Sequence, residues 1–240
     1  MARHKPTAEG GYQRGEETRA RLINSAMKLF ADKGYSGAST RDIALEAGAN
    51  APALQYYFGN KEGVYRACVE HIVDRVREQL DDQLLIAERV LADSHSSDEA
   101  LIEAYLGLLS GFITLIHDSS EATAWRQFMG REQSELGTPD TREIMNQRLH
   151  APIRSVTACI MGRLTGLPAD DERTQIRTFA LNSQGLVFRV LRQQVMSALG
   201  WEHIDKPRMQ AVREVLLEQT RLTLQALVAA RDFKSESIER

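Results

Sequence analysis

The sequence predicts an all-α protein, and two features of the 240-residue chain indicate this class. Apolar residues recur at steps of three and four positions along most of the sequence, which is the spacing of one face of a helix. Gly, Pro, Asn and Ser separate these patterns, and such residues cap or end helices. No segment shows a convincing alternation of apolar and polar residues, so we expect about nine helices and no strand.

The composition is typical of a globular protein, but the charge is unevenly distributed along the chain. Hydrophobic residues make up 42% of the sequence and the formal net charge is -3, so no overall attraction to nucleic acid is expected. Residues 1–65 nevertheless carry nine Lys and Arg against seven Asp and Glu, whereas residues 66–240 carry 21 against 26. A surface for nucleic acid would therefore be local and would lie near the N-terminus.

Cysteine usage and hydropathy predict the compartment. Cys68 and Cys159 are far apart in sequence and give no disulfide framework, which fits a reducing cytoplasm. No apolar run approaches the ~20 residues that a membrane span requires. The basic N-terminus is not followed by the apolar segment of a signal peptide. We expect a soluble, cytoplasmic protein that does not bind membranes.

The first 15 residues are polar, contain three glycines and show no helical period, which predicts a flexible arm over residues 1–15. From Glu16 onwards apolar residues recur at helical spacing, and Gly34 is placed to end this first helix as a C-terminal cap.

Two shorter helical patterns follow and meet at Gly48. Ser39 or Thr40 is placed to cap the first of them, and Gly48 ends it. Asn50 is a good N-cap for the next, and Pro52 falls in its first turn, where the missing N–H costs nothing. The sequence thus predicts a compact group of three helices.

Longer patterns occupy the remainder of the chain. A helix from Asn60 to about Leu91 is expected, and Pro152 is expected to kink a later one. The other predicted helices cover about residues 101–118, 121–136, 138–164, 172–199 and 206–229.

Residues 39–58 carry outward-facing side chains that suit DNA. Thr40 and Arg41 open the second helix, where a hydroxyl and a guanidinium fit a phosphate or a guanine. On the third helix Gln55 could pair with adenine, and small apolar groups could contact a thymine methyl. The outward residues of the third helix are Ala51, Pro52, Ala53 and Gln55; the candidates for phosphate contacts are Thr40, Tyr56, Tyr57 and Lys61. The pattern alone leaves an alternative, in which Tyr-Tyr-Phe is a core cluster of an ordinary three-helix domain.

Four short motifs resemble the N-terminal signature of TetR-type transcriptional regulators. They are Thr40-Arg41-Asp42-Ile43-Ala44, Ala47-Gly48, Leu54-Gln55-Tyr56-Tyr57-Phe58 and Asn60-Lys61-Glu62, within residues 18–66. The run NAPALQYYFGNKEGVYRACVEHI is most similar to the CecR-type branch of that family. The resemblance implies a homodimer on a double-stranded DNA operator, with each third helix in the major groove. By position it places Arg41, Ala51, Pro52, Ala53 and Gln55 at bases and Thr40, Tyr56, Tyr57 and Lys61 at phosphates. Ala51 and Gln55 depart from residues common in the family, which leaves the operator sequence open.

The same resemblance organises the rest of the chain. We assign residues 16–65 to a helix-turn-helix domain with its motif at 39–58, and residues 66–232 to an effector-binding and dimerisation domain, with a C-terminal tail at 233–240. Residues 172–199 and 206–229 would pair across a two-fold axis; the alternative is that they only complete a monomeric core.

An effector pocket is expected among the middle helices, since a small-molecule site requires apolar walls and a few polar groups. A residue of these types, taken singly, is more often a surface group or a satisfied core group than part of a pocket. The candidates are Phe112, Arg126, Phe128, Met129 and Phe188. We expect no cofactor and no metal site, because Cys68 and His71 share a helix face without further ligands.

Together with the resemblance, which alone favours repression over activation, these observations predict a ligand-responsive repressor that a small molecule releases from a palindromic operator. A DNA-binding architectural or constitutive regulator without an effector is the first alternative. An all-helical enzyme with Glu132 and Arg126 as acid and base is the second; it lacks a paired set of catalytic groups and leaves the first three helices unexplained.

Overall fold

The computed structural model describes residues 8–115, 127–128 and 138–238, and these residues form α-helices and no strand. The predicted all-α class is confirmed. The first half contains five helices among the described residues: α1 Ala8–Gly37, α2 Thr40–Glu46, α3 Ala51–Phe58, α4 Lys61–Ala92 and α5 Asp98–Leu115. The helix α1 therefore includes residues 8–15, which the sequence assigned to the arm, and the helix predicted at 121–136 lies almost entirely outside the described residues.

The second half of the chain is also helical where it is described, with two irregular turns. Its elements are α6 Pro139–Met145, a π-helical turn Asn146–His150, α7 Ala151–Thr165, α8 Glu172–Ser183, a 3₁₀ turn Gln184–Leu186, α9 Val187–Val190, α10 Arg192–Leu199 and α11 Lys206–Ile238. No described helix is long and apolar enough to cross a membrane.

The π-helical turn ends at His150, two residues before Pro152, where the sequence predicted a kink. A proline cannot donate a hydrogen bond to the carbonyl four residues earlier, which here belongs to Arg148. The Arg77 guanidinium on α4 donates to that carbonyl at 3.4 Å instead. The irregular turn is thus explained by the proline and stabilised by a side chain from another helix.

The helix predicted over residues 172–199 is not continuous. A 3₁₀ turn interrupts it at Gln184–Leu186, and Leu191 has non-helical backbone angles. Gly185 is buried in this turn, and the Gln184 amide donates to the Thr220 hydroxyl of α11 at 2.5 Å. Glycine has a low helix propensity. Together with the hydrogen bond from Gln184 to Thr220, this accounts for the break, although the helical spacing of apolar residues predicted one continuous helix.

The chain divides into two compact units. The first comprises Met1–Asp74 with Ser120–Met145, and the second comprises Arg75–Ser119 with Asn146–Arg240. In the first unit α1, α2 and α3 pack around side chains that are at most 2% exposed: Leu22, Ile23, Phe30, Ile43 and Leu54. The boundary falls inside α4, later than residue 65, where the sequence placed the end of the first domain.

The core of the second unit consists of two apolar clusters. One joins α4, α5, α7 and α11 around Leu84, Leu101, Ile160 and Leu224. The other joins the end of α5 to α11 and includes Ile204, and Phe188 packs against it. A hydrogen-bonded chain crosses this core, because the Tyr105 hydroxyl donates to Asn182 at 2.8 Å and the Asn182 amide donates to the Thr157 hydroxyl at 3.0 Å.

Candidate nucleic-acid interface

Two side-chain caps fix the start of α2 and the start of α3. The Ser39 hydroxyl accepts a hydrogen bond from the Asp42 amide at 3.1 Å, and the Asn50 side chain accepts one from the Ala53 amide at 2.8 Å. Between them Gly48 has a φ of +61°, in the left-handed region that favours glycine. The predicted caps and turn are confirmed, and they set the geometry of a helix-turn-helix.

The polar end of α2 carries a local charge pattern. A hydrogen bond from the Ser39 side chain holds the pKa of Asp42 below its ordinary value, and the nearby Lys33 and Arg41 act in the same direction. Asp42 therefore stays ionised at neutral pH, in the first turn of α2, where a helix dipole favours a carboxylate. Arg41 itself is exposed, while Thr40 is half-buried.

The third helix is anchored by a single fully buried side chain. Leu54 is 2% exposed and packs into the core of the first unit. Ala51, Pro52 and Gln55 are exposed and Ala53 is half-buried. The outward face of α3 thus presents small groups and one carboxamide, which is the face that the sequence predicted for bases.

The two adjacent tyrosines of α3 differ in exposure. Tyr56 is 83% exposed, and its ring meets Tyr57 edge-on with centroids 5.2 Å apart. Tyr57 is half-buried, and a Cβ at Gly15 of α1 would lie 3.3 Å from its hydroxyl oxygen. The core-cluster alternative therefore does not apply to Tyr56, whose side chain is a surface group.

Lys61 lies at the first position of α4 and is held by residues of α1. Its ammonium donates to the Ser36 carbonyl at 3.4 Å and lies 4.6 Å from the centroid of the Tyr35 ring. Burial, and then the charge of Glu62, raises the pKa of Tyr35. These two contacts hold the Lys61 ammonium against the end of α1.

Sequence reasoning missed two residues that support this surface. Tyr35 stacks under Lys61, and the Arg19 guanidinium lies 5.7 Å from the centroid of the Phe58 ring. Both contacts join α1 to residues far along the chain, so no local spacing could have indicated them.

The predicted effector residues that the structure describes lie in different surroundings. Phe112 is half-buried on α5, and Phe188 packs against the cluster at the end of α5 and α11. Phe128 is 1% exposed in the first unit, with its ring centroid 4.9 Å from Tyr65. Arg126 and Met129 lie outside the described residues. Within the described ranges no group of three or more His, Cys, Asp or Glu side chains could hold a metal ion.

Two family models match the chain. Residues 22–68 match the bacterial regulatory proteins of the tetR family. Residues 101–227, more than half of the chain, match the C-terminal domain of the HTH-type transcriptional dual regulator CecR.

Characterised relatives and solved structures agree with these matches. The chain is 29% identical over 214 residues to the transcriptional dual regulator CecR of Shigella flexneri, covering 89% of this chain and 94% of that protein. It is 32% identical over 124 residues to the transcriptional repressor ComR of Escherichia coli K12, about half of each chain (52% and 53%).

Among solved structures, a transcriptional regulator from Rhodococcus sp. Rha1 superposes with a TM-score of 0.56 at 17% identity, covering 88% of this chain and 96% of that one. A TetR/AcrR-family regulator from Thermobifida fusca superposes with a TM-score of 0.52 at 22% identity, covering 85% and 96%. These two likenesses bear on the fold. Together with the helix-turn-helix geometry, the family matches establish that the chain belongs to the TetR family of DNA-binding transcriptional regulators, which are not enzymes.

Proposed function

We propose that this protein is a ligand-responsive repressor that binds a palindromic operator as a homodimer. The observation that carries the proposal is the exposed face of α2 and α3, where Arg41, Gln55 and Tyr56 are exposed while Leu54 is buried in the core. Within it Arg41 and Gln55 read base edges, while Thr40, Tyr56, Tyr57 and Lys61 hold phosphates. Ala51, Pro52 and Ala53 lie close to the bases and offer apolar contacts, so hydrogen-bonded readout rests on Arg41 and Gln55.

The dimer is supported by apolar side chains on the outer surface of the second unit. Two groups of them, on α8–α9 and on α11, are each more than half exposed: Ile176, Phe179 and Val190, then Val215 and Leu222. Ile176 and Phe179 are three positions apart and therefore share one face of α8. Grouped exposed apolar side chains of this kind are typical of an interaction surface. A second copy of the chain covers it in the proposal, and two-fold symmetry then doubles the length of DNA that is read.

The dimer is tested by light scattering on the full chain. The expected mass is twice the 26.9 kDa of one chain. Val190→Glu and Leu222→Glu place a charge in the proposed interface and should shift the equilibrium toward monomer. Lys234→Glu, at an exposed polar position of α11, is the matched control and should leave the mass unchanged. A wild-type mass of one chain would disprove the dimer.

The proposed repression of transcription, and the proposed release of the protein from DNA by an effector, are based on membership of the family. The relatives named above include a repressor and a dual regulator. Release requires that the effector bind a conformation of low operator affinity more tightly than the DNA-bound one, because only differential affinity shifts a two-state equilibrium. The helix α4 contributes residues to both compact units and is therefore one covalent connection through which such a shift would act.

The DNA-binding proposal is tested by selecting genome fragments that the protein retains and locating the shared sequence. We expect a site with two-fold symmetry, and loss of repression of the adjacent genes when it is scrambled. A set of fragments without any shared symmetric sequence would instead favour an architectural role.

A further inference from the structure

An open groove of about 650 Å³ lies in the second unit between α4, α5 and α11. Its volume falls in the range of sites that bind small molecules. Leu106 and Leu217 give it apolar surface, and the Gln79 and Gln83 carboxamides provide neutral hydrogen-bonding groups. None of Phe112, Phe128 and Phe188 lines it. The groove is therefore a different place from the effector pocket that the sequence predicted around these residues.

Two glycines of α5 shape the groove. A Cβ on Gly107 would lie 2.6 Å from Oε1 of Gln83, and a Cβ on Gly111 would lie 2.7 Å from Cδ2 of Leu80. Both distances are shorter than non-bonded carbon contacts allow. The absence of side chains at these positions therefore lets α4 approach α5 and leaves the Gln83 amide against bare backbone.

The helix α11 contributes two arginines to the groove, and they differ in whether a carboxylate of the protein neutralises their charge. Arg221 forms ion pairs with two carboxylates of α5, with Glu99 at 2.7 Å and with Glu103. Its positive charge is therefore compensated within the protein, and those hydrogen bonds raise its pKa.

Arg213 is held only by neutral acceptors among the described residues. Its Nε donates to the Ser110 hydroxyl at 2.8 Å, and one Nη donates to the Gln210 side-chain carbonyl at 3.5 Å. No carboxylate of the described chain lies within ion-pair distance of it. A half-buried guanidinium that is oriented but not neutralised is a binding group for a carboxylate.

The geometry points to a ligand site for a small organic monoanion, whose carboxylate binds Arg213 and whose neutral polar groups contact Gln79 or Gln83. The groove favours a single negative charge because Glu103 and Glu218 also line it and would repel a polyanion such as a nucleotide. This inference rests on the proposed function in one respect: the bound acid is the effector that lowers operator affinity.

The site is tested by a ligand-observed NMR screen of the full chain against a library of metabolite-sized monocarboxylates, each paired with its primary amide. We expect acids to bind in preference to their amides. Arg213→Gln should weaken the bound acids about tenfold or more, since it removes a charge-assisted hydrogen bond. Arg89→Gln, at an exposed position of α4 outside the groove, is the matched control and should bind as wild type.

A second variant narrows the groove beside Gln83 without changing the charge of the residues that line it. Gly107→Ala forces Gln83 to move and should weaken the same acids while the free energy of unfolding stays close to wild type. If no acid in the library binds, if amides bind as well as acids, or if Arg213→Gln binds as wild type, the site is wrong. If acids bind through Arg213 but leave operator affinity unchanged in a mobility-shift assay, the site stands and the effector part of the proposed function fails.

Discussion

The Asn50 side chain accepts a hydrogen bond from the Ala53 amide at 2.8 Å, and this contact determines where α3 begins. Asn50→Ala removes the cap and should lower the free energy of unfolding by about 1 kcal/mol. Because Ala51, Pro52 and Ala53 form the capped turn, operator affinity should fall as well. Urea unfolding and a mobility-shift assay measure the two effects. Asn50→Ser keeps a capping oxygen and should restore both, whereas a Ser variant as weak as the Ala variant would show that the amide has another role.

Arg41 is exposed at the start of α2 and carries the proposed base contact. Arg41→Ala should cost about 1–3 kcal/mol in binding to the operator and much less in binding to random DNA, since a base contact discriminates between sequences. Fluorescence anisotropy at fixed salt measures both affinities. Equal losses on operator and random DNA would reassign Arg41 to the phosphate backbone.

Lys61 is expected to act through phosphate instead. Lys61→Ala should weaken binding to all sequences alike and reduce the slope of log K against log salt by about 0.9 for each phosphate that the protein no longer neutralises. The measurement is the salt dependence of binding to the operator and to a random sequence. Because the ammonium also lies on the Tyr35 ring, Lys61→Arg is the control that keeps both the charge and the interaction with the ring. A slope unchanged in the Ala variant would exclude the phosphate role.

Local signals were sufficient to predict the helix-turn-helix. The caps at Ser39 and Asn50 involve residues three positions apart, and the turn requires the positive φ that Gly48 adopts. Such features are determined within four or five residues of chain, so the sequence indicates them directly.

Features that depend on distant parts of the chain were not predictable in this way. The break at Gln184–Leu186 depends on a hydrogen bond to Thr220, 36 residues after Gln184. The orientation of Arg213 depends on Ser110, 103 residues earlier. Neither the spacing of apolar residues nor a short motif indicates which helices pack against each other. The sequence therefore did not predict the groove.

Phe128 was suggested by the sequence as an effector residue, but its ring packs against Tyr65 and Phe30 with centroids 4.9 and 6.4 Å apart. At 1% exposure, Phe128→Ala should lower the free energy of unfolding by about 3–5 kcal/mol because it leaves a cavity. Phe128→Leu keeps most of the volume and should cost much less. Urea unfolding separates the two variants. A stable Ala variant that no longer responds to an effector would support the original pocket role instead.

Asp98 and Arg231 join the start of α5 to α11 through two parallel hydrogen bonds, at 3.0 and 2.8 Å. The hydrogen bonds from Arg231, reinforced by the charges of Arg231 and Arg163, hold the pKa of Asp98 below its ordinary value. A carboxyl whose pKa is lower in the folded state stabilises the fold above its unfolded pKa of about 3.9, and this stabilisation is lost as the pH falls through the folded value.

Asp98→Asn should therefore lower the free energy of unfolding at pH 7, by about 1 kcal/mol once solvent screening of this partly exposed pair is taken into account. As the pH falls below about 4 toward the lowered pKa of folded Asp98, this stabilisation is progressively lost, so the difference between the two proteins should shrink. Urea unfolding between pH 7 and pH 3 measures it. Asp82→Asn, an exposed position of α4 with no ion pair among the described residues, is the control and should change stability little. A deficit of Asp98→Asn that persists undiminished at low pH would mean that packing, and not the ion pair, accounts for the contribution of Asp98.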